Sequence, residues 1–171
     1  MPLPAKSLPD RKLVEPLFRA VKYVFETNLI RRTQMVDVLT FEEVSAIFRK
    51  DENDFTFSAV KCSGGYSCTI AIASPSGLNF IYARDFLDVD DSMLQLGAEI
   101  PVYRDAAGEI NNMVAGTFRN LLAKTGVNCS LTPPMILDRS ASLLKPLSNA
   151  NTAVIARFDI ENFRAIVFLW T

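Results

Sequence analysis

Histidine is absent from all 171 residues of the chain. This absence excludes the Ser-His-Asp and Cys-His nucleophilic machineries, because both need an imidazole as the general base. The usual zinc sites would have to be built from cysteines, and Cys62 and Cys68 are spaced unlike the cysteine pair of a zinc finger. We therefore expect a protein that works without a histidine, a reactive cysteine or a metal ion of its own.

A strong charge of either sign and a long apolar run are also missing. The formal net charge is −1, so the chain has no electrostatic footprint for nucleic acid or for an anionic membrane. No segment approaches the roughly 20 apolar residues that span a bilayer, and residues 1–6 lack the apolar region of a signal peptide. Three cysteines leave one unpaired in any disulfide scheme, which favours reduced thiols and predicts a cytoplasmic protein.

Hydrophobic residues make up 49% of the chain, which suits one domain with a substantial core. Three prolines within residues 1–11 predict a flexible N-terminal lead-in. Residues 12–171 are predicted to form a single domain.

Hydrophobic spacing and turn residues predict the elements of this domain. Apolar residues at helical spacing predict a helix from about residue 10 to 29. Thr40 and Glu43 form a capping-box pattern that predicts a short helix to about Lys50, and the Asp90–Ser92 stretch offers N-caps for another short helix ending at Leu96. Strands are predicted over residues 33–39, 55–60, 67–73, 78–83, 127–131, 152–158 and 163–170.

The predicted strands follow one another mostly as hairpins, the first of them turning at Ser63-Gly64-Gly65-Tyr66. Such an order is typical of an α+β fold. We expect an antiparallel β-sheet with helices packed on one face.

The clearest predicted helix runs from Pro101 to Lys124 and ends before Gly126. At about 100° per residue, Glu109 and Asn112 lie together on the arc opposite the apolar face, since residues three apart are surface neighbours. The buried arc is predicted to contain Ile110, Met113, Val114, Thr117, Phe118, Leu121 and Leu122, with Asn111 at its edge, packing or capping locally.

Small residues distinguish the outer arc of this helix. Gly108 and Gly116 each cost a helix about 1 kcal/mol relative to alanine, and Ala115 and Ala123 add to the small-residue surface. Small residues around one acid and one amide suggest that another backbone approaches closely. The same residues are also compatible with an ordinary solvated helix face, with glycines that permit packing inside the domain.

Residues 105–116, DAAGEINNMVAG, resemble the signature helix of the CheX and CheC chemotaxis phosphatases, in which a Glu-x-x-Asn motif precedes a small-residue step and a glycine. The segment 15–27 is similar to the first helix of that family, and 131–136 is similar to its strand that ends in proline. A single motif copy favours the CheX side. The segment 40–54 departs from the family pattern.

The resemblance implies a phosphatase that hydrolyses the aspartyl phosphate of a CheY-like response regulator, with Mg²⁺ supplied by the regulator. It assigns the positioning of water to Asn112 and the orientation of the partner to Glu109. A carboxamide suits the first task because it can accept from water and donate to a phosphoryl oxygen without adding negative charge. The partner-binding residues that it implies are Asp105, Gly108, Ala115 and Gly116.

Two other interpretations remain open at this point. The domain could be a non-catalytic adaptor that docks a response regulator or a flagellar motor component through the same helix. It could also be a dimerisation module that uses an exposed sheet edge, and members of the resembled family can be homodimers.

Overall fold

The computed structural model describes residues 11–90, 92 and 99–171. The predicted lead-in over 1–11 lies outside the described part of the chain, except for residue 11. The predicted short helix ending at Leu96 lies outside it too, except for residues 90 and 92. The helices are α1 (Arg11–Tyr23), α2 (Phe41–Asp51), α3 (Ser76–Phe86), α4 (Glu99–Ala123) and α5 (Ser140–Asn149). The strands are β1 (Thr33–Val38), β2 (Phe55–Gly64), β3 (Cys68–Pro75), β4 (Cys129–Leu131), β5 (Met135–Leu137), β6 (Ala153–Ile160) and β7 (Phe163–Trp170).

The seven strands form one antiparallel sheet in the order β1-β6-β7-β3-β2-β4, and β5 pairs with β2 beside β4. The predicted hairpins β2–β3 and β6–β7 are both present, with Cys62 opposite Cys68 and Ile160 opposite Phe163. The predicted α+β class with an antiparallel sheet is confirmed. Among the described residues, no helix is both long enough and apolar enough to cross a membrane.

Helices cover both faces of this sheet. The sequence predicted helices on one face only. Residues of α1, α3 and α4 pack on that face, and residues of α2 and α5 add a layer on the other, which was not predicted. Strand β7 shows why a second helical layer is needed. Val167 packs in the hydrophobic cluster formed with α1, α3 and α4, while the adjacent Phe168 packs in the cluster formed with α2 and α5. A strand that is apolar at consecutive positions must be buried on both sides.

The predicted strand over 78–83 is wrong, because these residues belong to helix α3. Pro75 is the N-cap of α3 with extended backbone angles. A Cβ built on Gly77 would lie 2.4 Å from a ring carbon of Phe163, so glycine allows this ring to approach the helix. Asn79 is buried and accepts a hydrogen bond from the hydroxyl of Ser74 at 2.6 Å. The Pro-Ser-Gly sequence that resembles a turn therefore starts a helix.

The predicted first helix is regular only as far as Tyr23. Val24–Asn28 forms one π-helical turn, in which the N–H of Leu29 bonds the carbonyl of Val24 at 3.0 Å. The chain leaves this turn through Ile30, which adopts a positive φ of 52°. A wider turn of this kind redirects the chain away from the helix axis and into β1.

The predicted capping box is confirmed at the start of α2. The N–H of Glu43 donates to the hydroxyl of Thr40 at 3.2 Å, and the N–H of Thr40 donates to the Glu43 carboxylate at 2.7 Å. The backbone N–H of Thr40 first and the Thr40 hydroxyl second hold the pKa of the Glu43 carboxyl below its ordinary value. The segment 40–54, which departs from the resembled family, thus forms α2 and a 3₁₀ turn, Glu52–Asp54, on the sheet face opposite α4.

Replacing the capping hydroxyl tests how far α2 depends on it. Thr40→Ala should lower the free energy of unfolding by about 1 kcal/mol, because the N–H of Glu43 loses its acceptor. Urea denaturation measures this change. Thr27→Ala, at an exposed position outside a helix cap, is the control, and equal stability of the two variants would contradict the capping role.

Candidate functional site

Helix α4 lies against the sheet with its apolar face inward. Ile110, Val114 and Phe118 are completely buried, as the helical spacing predicts. Asp105, Glu109 and Asn112 are exposed on the opposite side. The backbone of α4 therefore presents a carboxylate and a carboxamide side by side, one helical turn apart.

Two of the small residues predicted for this outer face are buried instead. Ala115 is completely buried in the main hydrophobic cluster. Gly108 is buried on the flank of α4, where an added Cβ would lie 3.4 Å from the Cδ1 of Ile136 and 3.8 Å from the Cγ of Pro134. The prediction that they face outward is wrong. Ala115 packs in the core, and Gly108 is covered by the proline before β5 and by β5 itself, a strand that was not predicted from the sequence.

Gly116 differs from these two residues. It is half-exposed, and a Cβ built on it would meet no atom within 4 Å. The glycine thus opens a space beside Asn112 on the outer face, as the periodicity predicts.

Adjacent asparagines have opposite environments on this helix. Asn111 is completely buried, and neither of its amide atoms has a hydrogen-bond partner among the described residues. Asn111 therefore packs in the interior and takes no part in local capping, while Asn112 is exposed to solvent.

Helix α3 places an aromatic pair beside Glu109. Tyr82 is nearly buried, and its pKa is raised first by that burial and second by the negative charge of Glu109. Phe86, one turn later, stacks on Tyr82 with ring centroids 5.2 Å apart and planes inclined by 14°. The negative charge of Glu109 therefore acts on a phenol of α3 that stacks on a partly exposed aromatic ring.

Residues 28–31, from the end of the π-helical turn onward, contact α4 and α3 near the exposed face of α4. The amide of Asn28 contacts the sulfur of Met113 at 3.9 Å. The guanidinium of Arg31 binds Asp85 of α3 at 2.6 Å and Glu161 of the β6–β7 turn at 3.3 Å. Arg84 first and Arg31 second hold the pKa of Asp85 below its ordinary value. These contacts tie the segment to both α4 and α3.

The three cysteines do not form a nucleophilic site. Cys62 and Cys68 are buried, and none of the three is in a disulfide. Burial raises the pKa of Cys68 to about 11 and also raises the pKa of Cys62, so both remain protonated thiols, which are poor nucleophiles. Among the residues that the structure describes, no group of three acidic, cysteine or histidine side chains could hold a metal ion.

An apolar groove lies elsewhere on the molecule. Its volume is about 530 Å³, and it is lined by residues of α1, β1 and β6, including Val14, Phe18 and Phe158, with none from α4. Small-molecule sites are concave and enclose most of their ligand. The Glu109–Asn112 pair projects from a helix surface instead, which suits a macromolecule that supplies its own concave site.

Known proteins were compared with the chain by sequence and by structure. The family model described as chemotaxis phosphatase CheX matches residues 57–157, more than half of the chain and all of the exposed face of α4. Comparison with curated proteins finds no match.

Two of the similar crystal structures are chemotaxis CheX proteins. That from Desulfovibrio desulfuricans has a TM-score of 0.64 and 14% identity over 94% of this chain and 99% of its own. The protein from Vibrio vulnificus has a TM-score of 0.64 and 16% identity, over 93% of this chain and 98% of its own.

A third similar structure is a complex of CheX with CheY, BeF₃ and Mg²⁺ from Borrelia burgdorferi. Its TM-score is 0.63 and its identity 16%, over 93% of this chain and 96% of that one. Identities this low establish a shared fold. They do not establish shared residues.

Two glycine-to-alanine changes test the packing described above. Gly116→Ala should raise the free energy of unfolding by about 1 kcal/mol, because alanine favours the helix and its methyl group enters open space. Gly77→Ala is the matched control and should lower it, because the methyl group collides with Phe163. Urea denaturation compares the two variants, and a destabilised Gly116→Ala would show that the outer face is already packed.

Proposed function

The chain belongs to the CheX family of chemotaxis phosphatases, and from this premise we propose that it hydrolyses the aspartyl phosphate of a CheY-like response regulator through Asn112 and Glu109. The observation that carries the proposal is the outward projection of these two side chains from α4, within the residues that the family model matches. The Borrelia CheX bound to CheY supports the choice of partner. The BeF₃ of that complex stands in for a phosphoryl group.

Asn112 has the chemistry that the reaction requires. A water molecule attacks the phosphorus, the bond from phosphorus to the aspartyl oxygen breaks, and inorganic phosphate leaves the regulator's carboxylate. Most of the acceleration of such a transfer comes from positioning and electrostatics. The Oδ1 atom of Asn112 would accept a hydrogen bond from the attacking water while its Nδ2 donates to a phosphoryl oxygen. A carboxylate in this place would repel the phosphate.

Glu109 would orient the partner, one helical turn before Asn112. Its exposed carboxylate can pair with a lysine of the regulator, and such a pair between two proteins fixes the register of docking. Burial first and the charge of Glu109 second raise the pKa of Tyr82 above its ordinary value, and the side chain is a neutral phenol at physiological pH. The phenol therefore adds no competing charge to this pair.

The regulator would bring the metal ion. We propose that Mg²⁺ is bound by the partner's own acidic side chains and that this chain contributes no ligand to it. Aspartyl phosphate, Mg²⁺ and an orienting lysine would then all belong to the regulator, and α4 would add one amide and one carboxylate. A projecting helix face is the shape that can enter such a site.

We propose that the contact region on α4 extends from Asp105 to Gly116, about 16 Å along the helix axis. Both residues would then contact the partner. Gly108 and Ala115 would act differently, because they are buried. They let α4 lie close to β5 and β2, which holds the exposed pair in place.

Substitution of the amide tests the assignment. Asn112→Ala should reduce acceleration of phosphate loss about 100-fold or more, because the group that orients the water is removed, while the exposed position leaves stability nearly unchanged. Asn120→Ala, on an exposed part of the same helix, is the matched control and should keep full activity. The measurement is the decay of phosphate on candidate regulators, with Mg²⁺, with and without each variant.

Two results would redirect the proposal. Full activity of Asn112→Ala would show that another group orients the water. Binding of a regulator by the wild-type protein without faster phosphate loss would favour the non-catalytic adaptor.

A further inference from the structure

Ile30 is an unusual residue in this fold. It has a φ of +52°, a region that β-branched side chains rarely adopt. Its side chain is 81% exposed, the highest value among the large hydrophobic residues that the structure describes. The protein therefore holds an unfavourable backbone conformation and gains no burial of the side chain in return.

The neighbouring contacts account for how this conformation persists. The N–H of Arg31 bonds the carbonyl of Phe25 at 2.7 Å, and the N–H of Leu29 bonds that of Val24 at 3.0 Å. The guanidinium of Arg31 is also held between Asp85 and Glu161. Residues on both sides of Ile30 are thus anchored, which is how a strained residue is maintained in a native structure.

The anchored segment lies beside the candidate site. On one side of Ile30, Asn28 contacts Met113, the residue that follows Asn112. On the other side, Arg31 binds Asp85 in the last turn of α3, next to Phe86. Ile30 therefore lies on the short bridge between two contacts that both border the exposed face of α4.

Phe86 adds a second apolar side chain to this border. It is 43% exposed and stacks on Tyr82, whose phenol lies in the field of Glu109. Ile30 and Phe86 thus lie at the border of the face that carries Glu109 and Asn112, on the side of α1 and α3. Exposed apolar groups around a polar centre are the usual composition of a protein interface.

We infer that Ile30, together with Phe86, is an apolar anchor that docks the receiver domain of the phosphorylated regulator. The inference rests on the proposed function. A regulator whose phosphoaspartate reaches Asn112 must cover the neighbouring surface, because a stable interface buries about 800 Å² on each partner. The contacts of Asn28 with α4 and of Arg31 with α3 place Ile30 beside this surface, and its anchored backbone loses little freedom on docking.

The test separates docking from chemistry. Ile30→Asn removes the apolar side chain and introduces a residue that tolerates positive φ. Ile30→Leu keeps an apolar side chain at the same backbone position. Val38→Asn removes another exposed apolar side chain, on strand β1 at the sheet edge opposite β4. For each variant we would measure the melting temperature, KM and kcat for phosphate removal, and the Kd for a regulator activated with beryllofluoride.

We expect that Ile30→Asn weakens docking without lowering the stability of the fold. Ile30→Asn should melt at the same temperature as the wild type or higher, while KM and Kd rise about tenfold and kcat stays unchanged. Ile30→Leu and Val38→Asn should keep the wild-type KM and Kd. A merely structural role for Ile30 would instead lower the melting temperature and leave KM unchanged.

The remaining outcomes distinguish this inference from the proposed function. Wild-type KM and Kd for Ile30→Asn, with an active wild-type protein, would overturn the anchor and leave the phosphatase standing. Loss of self-association in Ile30→Asn without a change in KM would assign the surface to a second copy of this chain and overturn the inference. A wild-type protein that neither binds nor dephosphorylates the regulators tried would overturn both. Binding without hydrolysis, weakened in Ile30→Asn, would support the anchor alone.

Discussion

The burial of one face of α4 against the sheet is the constraint on which the other features depend. Ile110, Val114 and Phe118 must be inside for the main core to close. An α-helix turns about 100° per residue, so this burial sets the direction of every other side chain on α4. Glu109 and Asn112 are exposed because their neighbours are not, and they need no dedicated binding loop to hold them in position.

The second helical layer complements this arrangement. Because β2, β3 and β7 are apolar on both faces, the sheet needs cover on the side away from α4, and α2 and α5 provide it. The segment 40–54, the main departure from the family pattern, lies in this far layer. The segment therefore does not cover the exposed face of α4. The chain departs from the family pattern on the side of the sheet away from the proposed site.

The chain has few residues of the types that usually carry out catalysis, and this agrees with a site formed by an exposed helix face. A protein without histidine, with protonated buried thiols, can still accelerate a transfer if its partner brings the phosphate and the metal ion. What it must add is one well-placed amide on a rigid element. A helix packed between α1, α3 and the sheet meets that requirement.

Local patterns in the amino-acid order were enough to predict α4, the capping box at Thr40 and the two long hairpins, because each depends on residues close together in the chain. They also predicted that Glu109 and Asn112 face outward. Contacts between distant segments decided the rest. An apparent turn and strand form helix α3, in which Gly77 packs against Phe163 of the distant strand β7, and β5 covers Gly108. Periodicity reports which side of a helix is apolar, but only the assembled fold shows what covers its flanks.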